Sequence, residues 1–186
     1  MKISAFIKIT DLDRHGKPFG TPVEREANSF VINFCNMLYC AVSQVALAGC
    51  IDATDVSRTP STGGFDCRGP VGNDSYGIQV GTGTDAVAIG DTKLKTKILQ
   101  STTGESLKMR YSVMTFDVPQ TIANVRSFAM SRTFTNESGS TINIGEIGIV
   151  ALNENGFKFL IDHTLSTKQV LNGNGTTVQY TISIAV

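Results

Sequence analysis

Apolar and polar positions along this chain alternate through most of its length and change to helical spacing once, near the start. Residues 2 to 10 set Ile3, Ala5, Ile7 and Ile9 on one face and Lys2, Ser4, Lys8 and Thr10 on the other, the pattern of a half-buried strand. From Ala27 to Ile51 no residue is charged, and Phe30, Phe34, Leu38, Ala41, Val42 and Val45 recur at helical spacing. This predicts one helix over about residues 29–48, with Asn28 or Ser29 as N-cap and Gly49 as its stop. A second stripe of the same helix, Asn33, Asn36, Cys40 and Ser43, is polar but never ionised. The aromatic and aliphatic side is expected against the protein's own sheet, and the polar stripe against another part of an assembly.

Beyond the helix, residues 52–75 form one long irregular loop, poor in apolar residues. Strands are predicted over 76–80, over 106–118 where Pro119 closes the run, over 157–161 and 165–171, and from the Asn172-Gly173-Asn174-Gly175 turn through Val178, Tyr180, Ile182, Ile184 and Val186. Phe128, Met130 and Phe134 share a face that resumes at Ile142 and Ile144 after Glu137-Ser138-Gly139, which reads as a hairpin. Ile147 and Ile149 lie an odd number of residues beyond Ile144, so a bulge near Gly145-Glu146 is needed to keep them on the core side. The turn-rich segment from Asp11 to Pro22 has room for a short strand. The fold expected is mainly β: a single domain over residues 1–186, an antiparallel β-sandwich of jelly-roll type with one α-helix in its N-terminal half.

Charge and composition narrow the function. The 16 basic and 16 acidic residues cancel, so no general field draws a polyanion, and nucleic acid is not an expected partner. Cys35, Cys40, Cys50 and Cys67 form no C-x-x-C pair, which argues against zinc and for isolated thiols in a reducing compartment. The uncharged stretch is diluted by asparagines, Gln44 and cysteines and lacks basic flanks, so a membrane span is not expected, and the N-terminus does not read as a secretory signal.

Candidate chemistry is sparse. The histidines are His15, in a turn, and His163, whose Asp162-His163 pair reads as a strand-end cap, and no G-x-S-x-G elbow occurs. Asp11 to Gly16 begins like a calcium loop, but His15 stands where an oxygen ligand belongs and Pro22 where the bidentate glutamate belongs. Gly77 to Gly83 lacks the lysine of a phosphate loop and reads as close strand packing and a tight turn. Asp52, Asp55, Asp66 and Asp74 are irregularly spaced and read as solvated loop residues. Asn136-Glu137-Ser138 and Asn174-Gly175-Thr176 match the glycosylation pattern without a secretory context. No catalytic residue, metal or cofactor is expected.

The order of segments is more specific. A Gly77-Ile78-Gln79-Val80-Gly81-Thr82-Gly83 strand and turn, the Arg132 to Gly148 segment RTFTNESGSTINIGEIG, and a last strand from Asn172 to Ile182 resemble framework segments of tailed-bacteriophage virion proteins. The resemblance spans most of the chain from Asn28 onward and implies a non-enzymatic structural component of a virion head, neck or tail, assembled in the host bacterial cytoplasm. Expected partners are copies of the chain and other virion structural proteins. The contact surface expected is the helix stripe Asn33, Asn36, Cys40 and Ser43 together with Phe65 and Arg68 of the long loop. The alternative is a receptor- or glycan-binding module at the virion surface, for which Phe65, Tyr76 and Phe157 are the available aromatic platforms.

Overall fold

The computed structural model describes residues 2–27, 30–62 and 64–185. The expected caps Asn28 and Ser29, Gly63 of the loop and Val186 of the last strand lie outside the described residues. The chain is mainly β and antiparallel, with one helix among the described residues. The period-two run at the start becomes β1 (Lys2–Leu12), which turns into β2 (Pro18–Glu26). The turn forms because the Asp13 carboxylate accepts the His15 and Lys17 amides at 2.8 and 2.9 Å, a local bond that needs no metal.

One sheet runs β2, β1, β12 (Gly175–Ala185), β9 (Val125–Thr135). Along the outer edge of β9 lie three short strands in succession: β6 (Arg110–Tyr111), β7 (Thr115–Phe116) and β8 (Gln120–Ile122). The single strand predicted over 106–118 is therefore broken. Leu107 is exposed in the left-handed region, at φ 57°, so regular pairing starts only later. Ser112 then turns its carbonyl to the Arg132 side chain and its hydroxyl to the Thr133 amide, which interrupts the ladder.

The second sheet runs β11 (Lys158–Val170), β10 (Ile142–Leu152), β5 (Gly77–Gly81). The two strands expected between 157 and 171 are one strand, β11. The bulge expected at Gly145-Glu146 is present as a register shift between Ile144 and Glu146, and Ile147 and Ile149 are buried as required. At that bulge Gly145 opposes two residues of β11, Ser166 and Thr167, because Ile144 pairs Lys168 and Glu146 pairs Leu165. Two further strands, β3 (Cys50–Ile51) and β4 (Ser57–Arg58), form a small ribbon at the start of the long loop.

The hairpin expected between β9 and β10 does not exist. β9 pairs with β12 and β10 pairs with β11, so the chain crosses from one sheet to the other at 136–141 and returns beside β9. Asn136, fully buried, makes that corner. Its amide donates to the carbonyls of Ser140 and Val170, its oxygen accepts from the Ser138 amide and hydroxyl, and its backbone bonds Asn174 and Gly173. Corner bonds of this kind replace the ladder bonds that a change of sheet costs.

Both sheets feed one core. Ile7, Ile9, Met130, Phe134, Val178 and Tyr180 from the first meet Ile78, Val80, Ile144, Ile147, Ile149 and Phe159 from the second. Met130 and Phe134 flank Arg132 on the same buried face of β9, and Arg132 is itself only 1% exposed. All five of its N–H donors are spent on backbone carbonyls. Nε bonds Ser112, Nη1 bonds Tyr76 and Ile78, and Nη2 bonds Pro70 and Asn73, at 2.6 to 3.2 Å. The guanidinium also stacks over Tyr111 at 4.8 Å. Burial pulls its pKa down to about 10, so it remains charged at neutral pH. Gly77 lies beside it with φ +88°, where a Cβ would press on Met114 and the guanidinium.

Replacing Arg132 with leucine is expected to cost on the order of 3–5 kcal/mol, because five hydrogen bonds from a buried cation to backbone carbonyls are lost, the one to Ile78 fully inside the core. Urea unfolding measures this. A loss below about 1 kcal/mol would show that the carbonyls find other partners.

Candidate functional site

The helix α1 spans Ile32–Ser43, shorter at both ends than the sequence suggests. Its end comes at Gln44, in the left-handed region, and not at Gly49. Ser43 Oγ bonds the Tyr39 carbonyl and accepts the Val45 amide, and the Gln44 side chain takes the Ala41 carbonyl, so side chains consume the groups that another turn would use.

The helix is rotated relative to expectation. Asn33, Met37 and Cys40 are buried and Asn36 is half-buried, so most of the polar stripe faces the protein's own body. Asn33 donates to the Ile51 carbonyl at 2.9 Å, which fastens β3 to the helix. Ile32, Cys35, Leu38, Tyr39 and Val42 lie outward, Val42 at 75% exposure, and the helix carries no charge anywhere. Tertiary hydrogen bonding explains the reversal: an asparagine that satisfies the Ile51 carbonyl stabilises the inward face more than an additional aliphatic side chain.

Of the six residues singled out as contacts, Asn33 and Cys40 are inside the chain. Ser43 is exposed and back-bonded to Tyr39, and Asn36 lies between the two extremes. Phe65 packs edge-on against Phe34, which stacks on Phe30 at 3.9 Å, so the loop docks on its own helix. Arg68 is exposed and paired with Asp66. The other loop carboxylates also have local partners. Asp52 accepts from Thr54, Val56 and Arg58, which outweigh burial and hold its carboxyl at about 2; Asp55 pairs with Lys93; Asp74 pairs with Lys97 and the Gln100 amide.

The densest titratable cluster is one the sequence did not assemble. Asp162 and His163 sit in the middle of β11, not at a strand end. The fully buried His163 holds Asp91 through Nδ1 at 2.8 Å and Glu146 through Nε2 at 3.0 Å. Glu146 also accepts the amides of Gly83, Lys95 and Thr96, and Asp91 accepts from Ala88 and Lys95. This explains the glycines of the G-T-G turn: a Cβ at Gly81 or Gly83 would come within 2.4 or 2.5 Å of the Glu146 carboxylate. Burial alone would push both carboxyl pKa values up and that of the imidazole down. The reciprocal bonds reverse each shift, so Asp91 and Glu146 lie below their ordinary values and His163 above its own. With both ring nitrogens held by carboxylates, the cluster clamps residues 82–97 onto the second sheet. On the other face of β11, Asp162 accepts from Tyr180 and Thr164, yet burial pushes its pKa up to about 7.

The signal for Glu146 was the bulge itself, which turns a glutamate out of the apolar phase; nothing in sequence spacing linked it to Asp91 and His163. Among the described residues no group of His, Cys, Asp or Glu is arranged to hold a metal ion, and no helix is long and apolar enough to cross a membrane. Comparison with protein families, with characterised proteins and with solved structures finds no match for this chain.

The clamp has a pH signature. The stability from a raised His163 is fully present below its ordinary pKa of 6.5 and is lost as pH rises through the folded value. The stability from the lowered Asp91 and Glu146 is present above their ordinary 3.8 and 4.5 and is lost as pH falls through their folded values. The stability gap between wild type and His163→Gln is therefore expected to be widest near pH 5 to 6 and to narrow toward about pH 9. Thermal unfolding across that range tests it; a constant gap rules out an imidazolium in the clamp.

Proposed function

We propose that the chain is a structural protein of a tailed-phage virion, without enzymatic activity, whose two sheets form a jelly-roll sandwich. It assembles in the bacterial cytoplasm through copies of itself and contacts with neighbouring virion proteins. The path of β9 to β12 supports the sandwich reading, since the outer two strands pair in one sheet and the inner two in the other. The observation that carries the assembly reading is the outward face of α1. Ile32, Leu38, Tyr39 and Val42 form an apolar stripe on a helix with no charged residue to keep it solvated. The contact is thus assigned to the aliphatic side of the helix, opposite Asn33 and Cys40.

Sedimentation velocity over a range of concentrations is expected to show self-association. Leu38→Lys and Val42→Lys are each expected to weaken it by about tenfold or more, because the partner must then cover a charge, while leaving thermal unfolding nearly unchanged. A chain that stays monomeric at every concentration and binds a sugar on a glycan array would sink this reading in favour of a surface recognition module.

A further inference from the structure

The two sheets part along one side, where the edge strands β2 and β11 face each other. Phe30 and Ala53 cover the first half of β11, through a bridge to Asp162 and a bond to the Lys158 carbonyl. Farther along, the bulge inserts its extra residue at Ser166-Thr167, and a recess of about 50 Å³ opens there, lined by Ile9, Val23, Arg25, Ser166, Thr167 and Lys168. Arg25 reaches it from the inward row that also holds Ile7 and Tyr180, since Ile7 pairs with both. The recess adjoins a groove of about 510 Å³ with which it shares Val23, Ser166, Thr167 and Lys168, and to which Thr82, Thr84 and Asn143 contribute hydroxyl and amide groups.

Two residues that line the recess carry buried polar atoms with no hydrogen-bond partner among the described residues: Nε and Nη2 of Arg25 and Oγ of Ser166, whose residue is 4% exposed. Leaving such groups unsatisfied is costly, so their convergence on one recess marks a place for an acceptor. Nε and Nη2 form the side-on fork of a guanidinium, spaced to grip two oxygens of one carboxylate or phosphate. Among the described residues, no carboxylate lines the recess or the groove. Lys168 is neutralised by Asp11, and the unpartnered oxygen of Asp162 borders neither space.

We propose that this recess binds an oxyanion, the carboxylate or phosphate of a small hydroxylated ligand. Arg25 grips two oxygens through Nε and Nη2, Ser166 donates a further bond, and the ligand's body lies in the groove among Thr82, Thr84 and Asn143. The bulge is what aims Ser166 into the recess, a use of bulged strands common beside binding sites. This site stands on observations separate from those for the helix and holds whether or not the chain assembles.

Isothermal titration of the full chain with acetate, inorganic phosphate and glucuronate, each against chloride at matched ionic strength, tests it. Saturable binding of at least one is expected, and phosphate against acetate identifies the head group; glucuronate binding more tightly than acetate places the body in the groove. Arg25→Gln is expected to weaken binding by about tenfold or more, and Ser166→Ala by a smaller factor. Arg25→Lys keeps the charge but loses the fork, and is expected to weaken binding too, which decides the matter if Arg25→Gln does not fold. Absence of saturable binding for all three anions, or binding that is unchanged in both the Arg25 and Ser166 variants, overturns the proposal.

Discussion

A guanidinium buried without a carboxylate partner is the constraint on which much of this architecture depends. Arg132 projects from β9 into an otherwise apolar layer, and its charge is tolerated only because five carbonyl dipoles converge on it. Those carbonyls come from 70 to 78 and from Ser112, so a stretch with little apolar material of its own acquires a fixed path across the joint between the sheets. The same demand brings β5 beside β10 with Ile78 and Val80 facing the core, and breaks the neighbouring strand at Ser112. One buried cation thus does for the loop what a hydrophobic cluster does for a sheet.

Two other buried polar groups follow the same logic. Glu146 is turned to the outer face of the second sheet by the bulge, where amides of residues 83 to 96 and the His163 imidazole surround it. Asn136 makes the corner between sheets by satisfying the carbonyls left open there. In each case one side chain with several donors or acceptors replaces ladder bonds that irregular backbone forfeits, which is why the long connections are ordered with so few strands in them. The cost falls on tolerance to change at Gly77, Gly81 and Gly83, where the polar groups lie against the backbone too closely for a Cβ.

The outer surface is shaped by what these interior groups use up. Asn33 is drawn inward to the Ile51 carbonyl, so the helix shows its aliphatic side to the outside. Atoms of Arg25 and Ser166 find no comparable partner among the described residues, at the side where β2 and β11 line a recess. The helix face suits a broad apolar partner and the recess suits a small charged one, and nothing in their chemistry requires the two to act together.

Local patterns in the sequence determined a good deal of this. Alternation placed β1, β12 and the inward residues Ile7, Ile9, Val178 and Tyr180, and the phase slip after Ile144 located a bulge from residue counting alone. These succeed because a strand's face depends only on parity. The even phase of Met130, Arg132 and Phe134 also held the signal for the buried arginine, though not for what would satisfy it. Tertiary structure alone decided that β9 and β10 lie in different sheets, which way the helix turns, and that Asp91, Glu146 and His163 meet. Each of these was settled by hydrogen bonds between residues far apart in the chain, whose partners no local period can specify.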